Sequence, residues 1–350
     1  MIKKSIKLGS KYVGDNFPVI ISFEASSTYS DLQTAKTMVK AAASSGADAI
    51  KFQTVFRGEA DRFLEKKDLK IDFSTPTGKK EEFMIDAIRR RELSHDEWRE
   101  LASYAKSLGL IFISSPYYYD GVEFLQEIQT DALKLSKGDV DNVFLIEEMA
   151  KTKIPILIDG REKFEDVEKA IKICESNGND QIILMHCPSG YPAENAGVHL
   201  SAITEIKNRY PYHVGFADHS LGGLMNYVAV GLGAKLIEKT ITPDKTTELS
   251  EHYMSLEFDE LKPFVENIRA VENAIGNPSI LQSSRVSQDV RRCFISKSDI
   301  SKGQKISKDV LDFKRPGNIG ISVSQGKEII KKIAKIDISK DTFIQWDMLE

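Results

Sequence analysis

Cysteine is scarce. Cys174, Cys187 and Cys293 are widely spaced and odd in number, so neither a disulfide framework nor a zinc cluster follows from them. Long apolar runs are missing too: no stretch approaches the roughly 18 residues that mark a membrane-spanning helix. The opening segment, MIKKSIKLGSKYVGD, lacks a signal-peptide core, and the two absences together predict a cytoplasmic protein. Basic charge is not in excess, with 48 Lys and Arg against 52 Asp and Glu and a net charge of −4, which leaves no footprint for nucleic acid. The absence of a G-x-G-x-x-G after the first apolar run weighs against a dinucleotide-binding sheet. What remains is ordinary globular composition, 41% hydrophobic and 29% charged over 350 residues, enough for one large domain and a small one.

The larger part of the chain alternates short apolar runs with helix-period stretches. The runs are VIISFEAS from Val19, DAIKFQTV from Asp48, LIFISSPY from Leu110, DALKLSK from Asp131, IPILIDG from Ile154, QIILMHC from Gln181, HVGFADHS from His213 and AKLIEKTIT from Ala234. Amphipathic stretches such as LQTAKTMVKAAASSG and DEWRELASYAKSLG separate them, closed by Gly46 and Gly109 as helix C-caps. Eight strand–helix units are the count of a (β/α)8 TIM barrel, with an open doubly wound sheet as the competing α/β architecture. One connection, Phe56 to Leu93 with STPTG at its centre, is too long for an ordinary loop. It reads as a lid or substrate wall, or as a surface excursion.

The last barrel helix runs from about Phe258 to Ile275 and stops at Gly276-Asn277-Pro278. These signals place a barrel domain with an N-terminal cap over 1–278, a linker over 279–291 and a small β-rich domain over 292–350. In that last domain FISKSDISKGQKIS and KIDISKDTFIQ look alike, each read as a strand, a D-I-S-K turn and a second strand.

A barrel builds its site from the C-terminal ends of its strands. Here those ends offer Glu24; Lys51 and Gln53; Ser114 and Ser115; Lys134 and Lys137; Asp159 and Arg161; His186 and Ser189; Asp218 and His219; Glu238 and Lys239. Lysines, an arginine and serines converging in this way predict an anion site for a phosphorylated or carboxylated substrate. Alternation along a strand turns about half of them outward, into the helix layer. His219, which follows an aspartate, reads as a metal ligand oriented by a carboxylate or as a satisfied polar residue. Tyr191-Pro192 reads as a rigidly presented ring or a turn.

At these residues the chain resembles the sialic acid synthase family, which condenses phosphoenolpyruvate with N-acyl amino-sugar aldehydes to make nonulosonic acids. The shared motifs include IKLGSKYVGDNFPVI, SGADAIKFQT, ISSPY, LKLSKGDV, LMHCPSGYP, GFADHSLG, GAKLIEKTIT, SLEFDELK, FKRPGNIGIS and TFIQWDML. The resemblance implies a TIM barrel followed by an antifreeze-like (SAF) domain. It places the phosphoenolpyruvate grip on Lys51, Ser115 and Lys134 with Ser189 and Tyr191 nearby, and the acidic catalytic residues on Glu24 and Glu238. It implies substrate contacts from Gln53, Asp218, Glu251 and His252, and a divalent metal, manganese or magnesium, with His219 as a ligand. It also implies a domain-swapped homodimer in which Arg315 of the small domain reaches over the partner's substrate.

In the implied chemistry C3 of the enol phosphate attacks the sugar aldehyde, water adds at C2, and phosphate leaves by C–O cleavage. The chain departs from the pattern at Thr240, where a second metal histidine is usual, and at Ser27-Thr28-Tyr29-Ser30, where an Asn-His-x-Gly turn is usual. Three readings follow: an active synthase with an altered acceptor sugar, a non-catalytic barrel that keeps an anion site, and a barrel aldolase or isomerase acting on a sugar phosphate.

Overall fold

The computed structural model describes residues 3–160, 163–276, 290–315 and 319–350. Arg161 and nearly all of the expected linker lie outside the described residues. The chain divides into two compact units, Met1–Ile275 and Gly276–Glu350.

In the first unit the eight apolar runs become eight parallel strands: β1 Ile20–Glu24, β2 Ala49–Gln53, β3 Ile111–Ser115, β4 Ala132–Leu135, β5 Ile156–Asp159, β6 Ile182–His186, β7 His213–Asp218 and β8 Leu236–Thr240. They pair in sequence order, and β8 closes on β1 through Leu236↔Ile20 to Thr240↔Glu24. The ring is a closed barrel; the open-sheet alternative does not occur. Eight helices alternate with the strands: α1 Leu32–Ser44, α2 His95–Ser107, α3 Tyr119–Glu127, α4 Val143–Lys151, α5 Phe164–Ser176, α6 Ser201–Arg209, α7 Leu224–Leu232 and α8 Phe258–Ile275.

Their ends follow from local chemistry. Asp31 accepts from the Thr34 amide to cap α1, and Ser94 and Glu97 form a reciprocal capping box on α2; each such cap contributes about 1 kcal/mol. Gly46 and Gly109 follow α1 and α2 at φ of 85° and 80°, where a Cβ would be strained.

Strand alternation sorts the core into two layers. One parity, with Phe23, Ile50, Phe112, Leu133, Ile158, Leu184, Phe216 and Ile237, packs under the helices. The other, with Ile20, Ala49, Ile111, Ala132, Leu157, Ile183 and Leu236, fills the barrel together with Ile6, Leu8 and Val13. Those last three belong to an antiparallel hairpin, Ile6–Leu8 and Lys11–Val13, within the segment expected as an N-terminal cap. Asp48, one residue before β2, ties this end together: it accepts from the Ile21 amide and from Arg269 of α8, and pairs with Lys11 of the hairpin.

The long connection after β2 is folded throughout. Val55–Phe56 pairs with Glu92–Leu93, helices occupy Ala60–Phe63 and Met84–Arg89, and a hairpin joins Lys70–Thr75 to Gly78–Phe83. Pro76 and Thr77 of the STPTG signal sit at the hairpin turn. The excursion is fastened to the barrel mouth. The Ser74 amide donates to the Tyr191 carbonyl at 3.0 Å, Arg90 makes a two-point pair with Glu82, and Glu82 accepts from the Ser250 amide at 2.9 Å.

The second unit has its own core of Ile300, Ile306, Ile321, Ile329, Ala334, Ile338, Ile344 and Leu349. Strands Cys293–Ser296 and Leu311–Lys314 pair antiparallel. The two D-I-S-K pieces do not turn separate hairpins. They pair with each other, Ile300 and Ile338 exchanging both backbone hydrogen bonds at 2.8 Å. Asp299 accepts from the Lys340 amide and Asp337 from the Lys302 amide, each at 2.7 Å, so the internal repeat forms a reciprocal pair.

Candidate active site

The inward parity that buries Ile20 and Ala49 at one end of the barrel presents Glu24, Lys51, Ser115, Lys134, Asp159 and Glu238 at the other. Glu24 faces Lys51 across the β1–β2 register, and the two side chains form a buried ion pair. Lys134 and Glu238 form a second buried ion pair. Charges so deep are tolerable only when paired and hydrogen-bonded, and the neighbours supply the bonds. Gln53 donates to Glu24 Oε1 at 3.1 Å and to Ser26 Oγ at 2.8 Å, while its Oε1 accepts from Arg91 and from the Tyr117 hydroxyl, both at 2.5 Å.

The two carboxyls are not equivalent. Burial pushes the Glu24 carboxyl upward, but the ammonium groups of Lys51 and Lys134 and the hydrogen bonds from Lys51 and Gln53 outweigh it, and the net shift is well below the usual carboxylate range. For Glu238 burial wins over the attraction of Lys134 and Lys51, with the Glu24 charge adding to it, and the carboxyl is raised. Burial lowers the Lys134 ammonium, yet Glu238 and Glu24 more than offset it, and the net shift is upward. Paired carboxyls pushed apart in this way divide into a proton carrier and a permanent anion. Glu238 Oε2, Ser115 Oγ and Arg91 Nε are buried here without a hydrogen-bond partner, as expected where a ligand completes the set.

A cavity of about 320 Å³ opens over this cluster. It collects Glu24, Lys51, Gln53, Lys134, Tyr191, His219 and Glu251 among the residues expected from sequence. Tyr191 stacks on His219 with ring centroids 5.1 Å apart, and His219 Nε2 lies 4.0 Å from Cys187 Sγ. Glu251 holds φ at 72°, an uncommon conformation for a residue with a Cβ. Its Oε2 accepts from the Ser27 amide at 2.8 Å and the Ser27 hydroxyl at 2.6 Å. Burial raises the Glu251 carboxyl, but the Arg91 charge and the Ser26 and Ser27 bonds bring it below its ordinary value.

Other expected residues are placed differently. Ser115 and Glu238 are buried beneath the cavity, Ser189 meets Lys137 of the wall at 3.4 Å, and Arg315 is exposed in the second unit. Asp218 is not part of the site. It stands on the outward parity of β7, where it pairs with Lys239 at 2.9 Å, both side chains fully buried, and accepts from Asn226 of α7 at 2.5 Å and from the Ser220 amide. Lys239, read as a strand-end cation, is thereby spent on the helix layer. His186 likewise faces outward, stacked on Phe216 and 2.6 Å from the Val198 carbonyl. His252 does not line the cavity; its Nδ1 lies 2.8 Å from Thr242 Oγ1 and 3.2 Å from the Asp244 carbonyl.

Two findings were not foreseen. Arg91 and Tyr117 enter the wall by clamping Gln53, and the only sequence signal for Arg91 was the Arg89-Arg90-Arg91 run ending the excursion. The cavity is also no plain basic patch, since Lys51, Lys134, Lys137 and Arg91 share it with Glu24, Asp139, Asp159 and Glu251. The implied two-histidine metal site does not fit the residues present. Thr240 ends β8 where the second imidazole would stand, and among the described residues no group of three or more His, Cys, Asp or Glu side chains is placed to hold a metal ion.

Carboxylates and ammonium groups meeting at the C-terminal mouth of a (β/α)8 barrel define a small-molecule site of the enzymatic barrel class. Comparison with known proteins narrows the class. The chain belongs to the NeuB family, whose pattern matches residues 38–279, with a SAF domain over residues 291–350. It is 36% identical over 351 residues to an uncharacterized protein of Methanocaldococcus jannaschii, covering 99% of each chain. It is 32% identical over 351 residues to the N,N'-diacetyllegionaminic acid synthase of Legionella pneumophila, covering 98% of each. The solved N-acetylneuraminic acid synthetase of Leptospira borgpetersenii, in complex with citrate, superposes with a TM-score of 0.72 at 28% identity, covering 81% of this chain and 94% of that one. Two of these three relatives are named as synthases, of N,N'-diacetyllegionaminic acid and of N-acetylneuraminic acid. No helix of the described residues is long and apolar enough to cross a membrane.

Proposed function

We infer that the protein condenses phosphoenolpyruvate with an N-acyl amino-sugar aldehyde, giving a nonulosonic acid and inorganic phosphate. The observation that carries this reading is the meeting of Glu24, Lys51, Lys134 and Glu238 under one cavity at the strand ends, in a chain whose relatives include named synthases of such acids. Lys51 and Lys134 supply ammonium groups for the phosphate and carboxylate of the enol, a preorganised field that needs no rearrangement of solvent. C3 of the enol forms the new bond to the aldehyde carbon, and the aldehyde oxygen takes a proton. Water adds at C2, the C2–O bond to phosphorus breaks, and the keto acid and phosphate separate.

Glu238, whose carboxyl burial keeps protonated more readily, is the group placed to give up and recover a proton. Glu24 remains the anion that offsets Lys51. Tyr191, Gln53 and Glu251 border the space left for the sugar, and Arg315 is assigned to the acceptor of a partner chain in a homodimer. Phosphate release from phosphoenolpyruvate, measured across a panel of N-acylated hexosamines, tests the reading. Release that depends on the sugar supports it. Measurable phosphoenolpyruvate binding with no release for any sugar would replace it with the non-catalytic barrel.

A further inference from the structure

The family resemblance implies two imidazoles around a divalent metal, and the residues at the barrel mouth do not provide them. Thr240 ends β8 on its inward parity, opposite Glu24 in the β8–β1 register. Among the described residues His219 is the single histidine that lines the cavity. His186 and His252 are engaged elsewhere, at the Val198 carbonyl and at Thr242 and Asp244. The nearby carboxylates are committed as well, Glu24 to Lys51 and Gln53, and Glu251 to Ser27. An aldehyde attacked here still needs a positive partner for the charge that gathers on its oxygen.

Arg91 meets that need. It lines the cavity over Lys51 and Lys134, and with Tyr117, Tyr191 and Glu251 it also borders a second cavity of about 240 Å³. That second cavity has an apolar floor of Phe63, Ile71, Met84, Ala87 and Ile88. Lys51 and Lys134 are each neutralised by a buried carboxylate. Arg91 is not: among the described residues its charge and that of Glu251 act on each other without a direct ion pair. Its Nη1 donates to Gln53 Oε1 at 2.5 Å, and its Nε is buried with no hydrogen-bond partner. An unmet charged donor is costly to bury, so it marks a place that a ligand oxygen completes.

The residue is anchored through its backbone. Its amide donates to the Ile88 carbonyl at 3.0 Å, and its carbonyl accepts from the Tyr29 hydroxyl at 3.0 Å. Buried Tyr29 belongs to Ser27-Thr28-Tyr29-Ser30, the turn at which the chain departs from the family pattern. The same turn fixes Glu251 through Ser27 and accepts from Arg90 at the Ser27 carbonyl. The two departures therefore fall together: Thr240 takes away an imidazole, and the altered turn anchors a guanidinium at the same mouth. A charge held so firmly acts without reorganising at the moment of reaction.

We propose that Arg91 is a catalytic residue of this synthase, donating from its guanidinium to the acceptor's aldehyde oxygen, and that the condensation proceeds without a divalent metal. This rests on the condensation reading above and adds to it the group that polarises the aldehyde. As C3 of the enol bonds to the carbonyl carbon, the carbonyl π pair moves onto oxygen beside a guanidinium that stays protonated throughout. The alkoxide then takes its proton as in that reading.

The test uses the full-length protein after treatment with chelator. Phosphate release from phosphoenolpyruvate is measured across N-acylated hexosamines with chelator and with manganese, and manganese is titrated into the protein while the paramagnetic resonance of the free ion is followed. Release should be the same in both conditions, with no saturable manganese site. Arg91→Met should lower kcat by about 10²–10³-fold, the scale for losing one oxyanion donor. Phosphoenolpyruvate binding, read by calorimetry, should stay near that of the parent, whereas a merely structural role would take binding down with turnover. Arg91→Lys keeps the charge without the planar donor set, so its kcat falls between the two and serves if the Met variant does not fold.

Tight manganese binding at one site per chain, release that needs manganese, or parental kcat in the Arg91 variants would overturn the proposal and leave the condensation reading in place. No release by the parent with any sugar, with or without manganese, would overturn both.

Discussion

Lys134 and Glu238 stand on β4 and β8, opposite strands of an eight-stranded ring, and their side chains meet across the barrel in a buried ion pair. They are 104 residues apart in sequence. Replacing Lys134 by Met leaves the buried Glu238 carboxyl without its ion-pair partner, which costs about 3–5 kcal/mol of stability. The double replacement Lys134→Met with Glu238→Leu recovers most of that, and neither variant turns over substrate. Urea unfolding of the two variants checks the pair. Equal stability of the single and double variants would contradict it.

On the proposed reading Lys51→Ala removes one charge-assisted contact to the enol phosphate, and it also leaves Glu24 without its buried ion-pair partner, so kinetics are compared at a temperature where the variant is folded. The loss is about 1.5–3 kcal/mol, seen as a rise of roughly ten- to a hundredfold or more in KM for phosphoenolpyruvate. Steady-state phosphate release reads it directly, and unchanged kinetics would take Lys51 out of the site.

Binding of phosphoenolpyruvate should take up protons. Glu238 is already raised by burial, and an anion arriving at Lys134 competes for the ammonium that restrains it, raising it further. The complex then holds more protons than the free protein, so by linkage affinity falls as pH rises. Calorimetric titrations in two buffers of different ionisation enthalpy measure the uptake. Zero or negative uptake would refute the assignment.

Asp218→Asn, by contrast, should injure stability and spare chemistry. The carboxylate serves Lys239, Asn226 and the Ser220 amide in the helix layer, and its loss leaves a buried ammonium unpaired at a cost of about 3–5 kcal/mol. The melting temperature drops, while KM for phosphoenolpyruvate at a temperature where the variant is folded stays near that of the parent. A large rise in KM at intact stability would return Asp218 to the site.

The barrel was legible because each apolar run is short, β-rich and punctuated, and because Gly46 and Gly109 mark helix ends with a conformation few other residues accept. The charged strand ends were legible as a set. Which of them face inward was not, since that depends on one residue of register: Glu238 points into the barrel beneath the cavity and Lys239, its neighbour, supports Asp218 in the helix layer. The excursion was visible only as a length. Its hairpin has an exposed, charged outer strand, GKKEEF, whose pattern gives no period, and its contribution to the site, Arg91 and the apolar floor, arises from tertiary docking on Tyr191 and Ser250. The D-I-S-K repeats were seen as similar, but sequence similarity could not say that each was the other's partner.

In the proposed reaction a carbon–carbon bond forms as the enol C–O bond breaks. Phosphoenolpyruvate labelled with heavy oxygen at the bridge between C2 and phosphorus, incubated with the protein and the acceptor found above, tests this in one mass spectrum. Labelled phosphate and a nonulosonic acid are expected in equal amounts. Unlabelled phosphate, or labelled phosphate with the sugar unconsumed, would contradict it.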